Sequence, residues 1–233
     1  DSDEESEVYV YEGEQLVSKD ANGEFRKMRH RTNEYLQRQS GHVQFWPRKN
    51  EVFDSIVRHG SGPNNYWWTV THKNGVTDYY GKYADDNAVN NNCVLRVDTG
   101  NTSGAIAHWA LAESVDPFGN SVRYEYHVDV NNGKQIYLKE IHYTCYHSSD
   151  LGKYRIHFVS SFDKREDIVV SANRGFKEKS RGLLDRTEIF YDDALIRTYY
   201  FHTINERRSN YKTRLENLVV VYGNCQLPML EPE

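Results

Sequence analysis

The chain has 233 residues, a formal net charge of -5 and an aromatic content of 13%, enough length and enough ring-bearing residues for one large packed domain. A mean hydropathy of -0.83 with 18 tyrosines points to sheet with wet faces, since tyrosine packs its ring and keeps its hydroxyl hydrogen-bonded. The charge excludes a basic nucleic-acid binder, and no apolar run reaches the length of a membrane span.

Residues 1–14 hold seven acids and no Lys or Arg, leaving 27 acids against 29 bases in the remainder. Residues 1–7 are therefore expected to be an acidic, frayed start, and residues 8–233 one β-rich domain. No signal-peptide pattern opens the chain, and a start at Asp1 is what a processed product or an excised piece would show. Short strands are predicted at 8–11 and 15–18. Residues 26–40 read as a loop or short helix, whose Arg26, Lys27, Arg29, His30 and Arg31 could touch nucleic acid or anionic lipid, but in an acidic chain a solvated segment that could pair with the acidic start is the plainer reading.

Strands follow at 50–58, 65–72 and 76–81, the last two joined by Asn74-Gly75, a type I′ hairpin signal. Residues 82–104 are an Asn/Asp/Gly-rich loop. Its Asp85, Asp86, Asn87, Asn90, Asn91, Asn92 and Asp98 offer oxygen atoms of the kind calcium accepts, but their spacing matches no calcium loop, and a solvated turn is the plainer reading. Residues 103–113 have helical propensity, yet a strand around Trp109 is preferred. Asp116-Pro117-Phe118-Gly119-Asn120 is a turn. After it, Val122, Tyr124, Tyr126 and Val128 alternate with Arg123, Glu125, His127 and Asp129, the pattern of a half-buried strand.

Further strands are predicted at 135–145, 152–160, 186–192, 195–202 and 214–222, with turn chemistry at Asn131-Asn132-Gly133, at 148–152 and at Asp192-Asp193. Residues 163–185 read as a charged connection. The result is an all-β, mainly antiparallel meander of extended hairpins with at most one short helix.

Three well-separated cysteines, Cys93, Cys145 and Cys225, make neither a disulfide framework nor a zinc knuckle. Alternation places Cys145 and His147 on one strand face and His142 on the other, and two ligands are not a metal site. Of Trp67 and Trp68, which point to opposite faces, one is expected in the core. The other either covers a neighbour or serves as a platform for a sugar ring.

Arg48, Glu51, Phe53 and Ile56, then Trp68, Asn74-Gly75, Tyr80-Gly81 and Trp109, then Asp116, Gly119-Asn120, Tyr124 and Tyr126 form an ordered set. In that order the chain resembles the N-terminal domain of the Salmonella virulence plasmid B protein. The same domain opens the B component of toxin complexes, relatives of the Rhs/YD-repeat toxins. The resemblance implies a secreted, non-catalytic wall segment of a β-sheet shell around a C-terminal effector. It implies that these motif residues serve structure, that no cofactor is needed, and that the partners are the rest of a larger polypeptide or toxin-complex subunits. The resemblance also brings an ADP-ribosyltransferase to mind. That activity needs a Ser-Thr-Ser strand, which is absent here, and a Glu-x-Glu, and Glu12-Gly13-Glu14 lies at the wrong end of the chain for it. A carbohydrate-binding or adhesion module built on Trp67 or Trp68 is the alternative.

Overall fold

The computed structural model describes residues 3–27, 29–49, 54–97, 103–129, 134–146, 150–173, 176–205, 212–223 and 225–226. Glu51, Phe53, Asp98, His147 and the Asn131-Asn132-Gly133 turn lie outside the described residues.

In chain order the elements begin with β1 (Val10–Tyr11), β2 (Glu14–Ser18), a single helical turn α1 (Arg29–Thr32), β3 (Val43–Pro47), β4 (Ser55–His59), β5 (Trp67–Thr71) and β6 (Thr77–Tyr80). A 3-10 turn (Asn91–Cys93) leads into β7 (Val94–Arg96), β8 (Ile106–Trp109), β9 (Leu111–Val115), β10 (Asn120–Asp129), β11 (Gln135–Tyr146) and β12 (Tyr154–Ser161). The last are β13 (Val169–Ser171), β14 (Glu178–Ser180), β15 (Leu183–Tyr191), β16 (Ala194–Asn205), β17 (Thr213–Tyr222) and β18 (Cys225–Gln226).

Fourteen strands form one sheet in the order β1-β2-β3-β4-β5-β6-β9-β10-β11-β12-β15-β16-β17-β18. Every pairing is antiparallel. The β7-β8 and β13-β14 hairpins are excursions from this meander. The expected all-β meander is therefore the fold, and the segment around Trp109 is strand despite its helical propensity. Strand β3 was not expected, and the charged connection at 163–185 contains β13, β14 and the start of β15.

One buried cluster closes the first end of the sheet. Alternation in β2 to β5 turns Leu16, Val43, Phe45, Ile56, Trp68 and Val70 inward, where they meet Tyr9 and Tyr66 in one buried cluster. A cover segment closes that cluster. Glu5 N donates to Leu36 O at 2.8 Å, and Arg38 N donates to Asp3 O at 2.8 Å. Beyond β11 the sheet is differently made. Strands β12, β15 and β16 are mostly half-buried, and Tyr154, Tyr191, Leu195, Ile196, Tyr200 and Leu215 are exposed.

Strand β10 also departs from expectation. Its polar face is not simply solvated: Arg123 bonds Glu113 at 2.9 Å and Asp85 at 2.7 Å, and Glu113 also accepts from Ala84 N at 2.9 Å. The loop after β6 folds back over this part of the sheet and supplies Asp85 and the Ala84 amide.

Candidate functional site

The ordered motif residues fall into two groups, turns and core. At the β5-β6 tip, Gly75 N donates to His72 O at 2.9 Å, and His72 N donates to Val76 O at 2.9 Å. Gly75 has φ +86° whereas Asn74 is not at positive φ. This corrects the type I′ expectation: the loop is a type I turn followed by a left-handed glycine, a three-residue hairpin connection. Asn74 Oδ1 instead accepts from Val76 N at 3.1 Å.

The β9-β10 tip repeats the device. Gly119 (φ +90°) follows Pro117 and Phe118, with Gly119 N donating to Asp116 O at 3.1 Å. Asp116 accepts from Phe118 N, Asn120 N and Asn120 Nδ2 at 2.9, 2.8 and 2.7 Å. The Asn120 side chain first, then the backbone amides, hold its carboxyl below the usual range. The two tips touch, because a Cβ on Gly75 would lie 2.7 Å from Pro117 Cγ.

Type I′ geometry occurs elsewhere. Glu12 and Gly13 have φ 50° and 83° between paired Tyr11 and Glu14, and Asp192 and Asp193 have φ 50° and 62° between Tyr191 and Ala194. The Glu-x-Glu at residues 12–14 is thus a hairpin turn with its first strand residue.

Ile56 and Trp68 are core, with Tyr80 and Trp109 packed against them. Ring centroids of Trp68 lie 5.0, 5.2 and 5.9 Å from Tyr9, Phe45 and Trp109, all edge-on, the arrangement ring quadrupoles favour. Trp109 Nε1 donates to Tyr66 O at 2.6 Å. Gly81 (φ +88°) lets the chain pass beneath this indole, since a Cβ there would stand 2.8 Å from Trp109 Cδ1. Tyr126 OH donates to Leu111 O at 2.6 Å, and Tyr124 O accepts from Tyr83 OH at 3.3 Å. Arg48 is exposed and ties β2 to β3, donating from its backbone N to Gln15 O at 2.8 Å and from Nη1 to Gln15 Oε1 at 3.2 Å.

The acidic start is corrected too. Glu5 is buried and pairs with Arg58, which has no exposed surface. Glu5 Oε2 also meets Arg26 Nη1 at 3.0 Å. Arg58 Nη2 donates to Gln39 O at 2.6 Å and its guanidinium lies 4.1 Å from the Tyr66 ring centroid. Arg38 bonds Glu7 at 2.8 Å and Tyr66 OH at 3.2 Å. An arginine facing the core requires a carboxylate beside it, so residues 3–7 dock rather than fray. The basic segment contributes Arg26 to the same network.

Trp67 is half-buried, and its ring is engaged. His59 stacks on it at 3.9 Å with a 12° interplanar angle, and Lys82 Nζ lies 4.3 Å from its centroid. Burial, then His42 and Lys82, push His59 down to about 4.

Among the described residues, two groups with catalytic names lack catalytic geometry. Ser114 Oγ donates to Asp78 Oδ1 at 2.5 Å, and His72 lies between Asp78 and Asp54 at 3.1 and 2.9 Å. An aspartate thus stands between the serine and the histidine, so His72 cannot take the hydroxyl proton directly. The hydrogen bond to Asp78 and the pairing with Asp54 raise His72 above its usual value. Cys93 is buried and pushed up to about 12 by desolvation, then by Asp86 and Glu125, the opposite of an activated thiolate.

The Asn/Asp-rich loop uses its oxygens on protein donors. Asp85 takes Arg123, Asn90 Oδ1 accepts from Asn92 N at 3.0 Å, and Asn91 Oδ1 accepts from Arg96 Nε at 3.2 Å. His142 and Cys145 do not lie on opposite faces. They pair with Arg123 and Ser121, which share a face of β10, because β11 carries an extra residue between them, where Thr144 has φ 67°.

The recognisable residues of this all-β domain thus lie in its turns and its core. The chain belongs to the family described as SpvB, Salmonella virulence plasmid 65kDa B protein, whose model matches residues 2–156. No curated protein sequence matches it. Among solved structures it is similar to the N-terminal domain of effector protein SpvB from Salmonella typhimurium strain LT2, with 16% identity and TM-score 0.61 over 90% of this chain and 79% of that one. It is also similar to TcdB2-TccC3, with 16% identity and TM-score 0.64, covering 94% of this chain but 13% of that one. A third match is the Photorhabdus luminescens Tc holotoxin pore carrying TccC3-D651A, with 15% identity and TM-score 0.65, covering 94% of this chain and 12% of that one. At these identities the structural matches establish the fold. No helix among the described residues is long and apolar enough to cross a membrane.

Proposed function

We propose that this domain is a non-catalytic wall segment of a secreted toxin-complex or Rhs-like protein, part of a β-sheet shell that encloses or presents a C-terminal effector. The observation that carries this is the asymmetry of the fourteen-stranded sheet. One end is a closed aromatic core. The other runs on through β12, β15, β16 and β17 with apolar side chains left exposed. A sheet of that kind is made to be covered by neighbouring segments, and its partners are the rest of its own polypeptide or toxin-complex subunits. The similarity to small portions of much larger toxin chains supports the same reading.

The carbohydrate-binding alternative needs a tryptophan face open to a sugar. Trp68 is buried, and the Trp67 ring is engaged by His59 and Lys82. Thermal melts with a glycan array test the two. Trp68→Ala is expected to cost about 3–5 kcal/mol, with Trp109→Ala costing less because it is half-buried, and no variant changes glycan binding. Saturable glycan binding lost on Trp67→Ala at an unchanged melting temperature would falsify the wall reading.

A further inference from the structure

Strands β10 and β11 are joined across an irregularity. Glu125 pairs with Glu140, but Tyr126 pairs with Leu138, so Lys139 is an extra residue on β11. Glu125 and Glu140 stand directly opposite each other, an arrangement that repels unless a cation intervenes. His142, two residues along β11 on the face of Glu140, completes a group of three whose ligand atoms all lie within 4.8 Å of one another.

The geometry within the group is directional. Each carboxylate commits one oxygen outward and one inward. Glu125 Oε2 meets Lys139 Nζ at 3.2 Å, while Glu125 Oε1 faces His142 Nε2 at 3.6 Å. Glu140 Oε1 is within 3.5 Å of Arg155 Nη1 and 4.0 Å of both Lys139 Nζ and His157 Nε2, while Glu140 Oε2 faces His142 Nε2 at 3.2 Å. His142 is only 9% exposed, and its Nε2, shut off from solvent, makes no hydrogen bond. A buried imidazole nitrogen thus points at two carboxylate oxygens without being aligned to either.

Two of the three spacings are close to the edge of a coordination tetrahedron. Ligands held about 2.0–2.1 Å from a tetrahedral ion are about 3.3–3.4 Å apart. The two observed nitrogen-to-oxygen separations, 3.2 and 3.6 Å, bracket that edge. Lys139 and Arg155 fix the outward oxygens, as donors behind the ligands do around metal sites. His157 is held in turn by Glu188, its Nδ1 lying 3.1 Å from Oε2.

We propose that Glu125, Glu140 and His142 form a binding site for a divalent cation of the zinc class, with its fourth position open to water or to a group from a neighbouring segment. An imidazole with two carboxylates suits zinc better than calcium, which takes six to eight oxygens. The ion would engage the two inward carboxylate oxygens that Lys139 and Arg155 leave free and pin the two strands at the bulge. Cys145 is not a ligand: its Sγ is buried and donates to Leu151 O at 3.1 Å.

The test is isothermal titration of the chelator-stripped full chain with zinc chloride, alongside melts with and without zinc. The expected result is one ion per chain and a zinc-dependent rise in melting temperature. Binding should weaken by roughly tenfold or more in Glu125→Gln and in His142→Gln. Glu125 is more than a third exposed in its side chain, so its variant keeps the reading testable should the buried histidine variant fail to fold. Zinc binding unchanged in Glu125→Gln and Glu140→Gln would place the ion at other histidines and overturn the proposal. No binding by the wild-type chain would overturn it as well.

Discussion

Replacing Glu5 asks whether the acidic start is part of the fold. Arg58 is fully buried and Glu5 is 5% exposed, so Glu5→Ala strands a guanidinium without its counter-charge. Removing one partner of a buried pair typically costs about 3–5 kcal/mol. Arg58 keeps Gln39 O at 2.6 Å, Tyr9 OH at 3.2 Å and the Tyr66 ring at 4.1 Å, which argues for the lower end. Arg26 loses its 3.0 Å partner at the same time, which works against that relief. A loss of about 3 kcal/mol in a domain of this size lowers the melting temperature by roughly 6–12 °C. Thermal denaturation followed by circular dichroism measures it, with Glu24→Ala, on an exposed turn, as the control. The pair Glu5→Leu with Arg58→Met should recover much of the loss, since an apolar replacement needs no counter-charge. A Glu5→Ala melt within about 1 °C of wild type would refute the docked start and restore the frayed one.

Other substitutions test the remaining architecture. Gly75→Val should cost about 2–4 kcal/mol, combining the left-handed penalty with the 2.7 Å approach to Pro117, and an unchanged denaturation midpoint would reject the turn. Asp193→Gly should stabilise by roughly 0.5–1 kcal/mol, because residue 193 sits at φ 62° in a type I′ turn that prefers glycine, and a lower melting temperature would count against that turn. His59 is held neutral down to about 4 in the folded chain, whereas an unfolded histidine protonates near 6.5. The unfolded state therefore binds the extra proton between those values, and stability present above pH 6.5 is lost as pH falls towards 4. After allowance for solvent screening this is on the order of 1–2 kcal/mol. Melts of wild type and His59→Gln from pH 7 to 4 should show a shallower fall in the variant, and parallel curves would reject the assignment.

Much of the fold was legible because long strands state their period. Residues 121–129 alternate without interruption and form most of β10, and the meander follows from strand runs separated by Gly, Asn and Asp. Strand β3 was hidden by its brevity and by Pro47 at its end, in a stretch following Arg-, Asn- and Gln-rich sequence. Asn74-Gly75 marked the right hairpin but the wrong turn, because a dipeptide signals a reversal without fixing the loop length. Counting charge made the acidic start a solvated tail. The corrective signal was present in β4, where Ile56 and Arg58 share a face by alternation, so an inward arginine had to find a carboxylate. The grouping of Glu125, Glu140 and His142 was not legible, since a bulge at Lys139 sets the register and nothing in one sequence announces it.

The wall reading turns on what lies against β12, β15, β16 and β17 in the natural polypeptide that carries this chain. Electron cryomicroscopy of that polypeptide is the direct measurement. The account predicts that this sheet continues into neighbouring wall strands, and that Tyr154, Tyr191, Leu195, Ile196, Tyr200 and Leu215, exposed in the isolated domain, are covered by those strands or line an enclosed chamber. A domain projecting freely into solvent, with both faces of those strands bare and no chamber beside them, would contradict it.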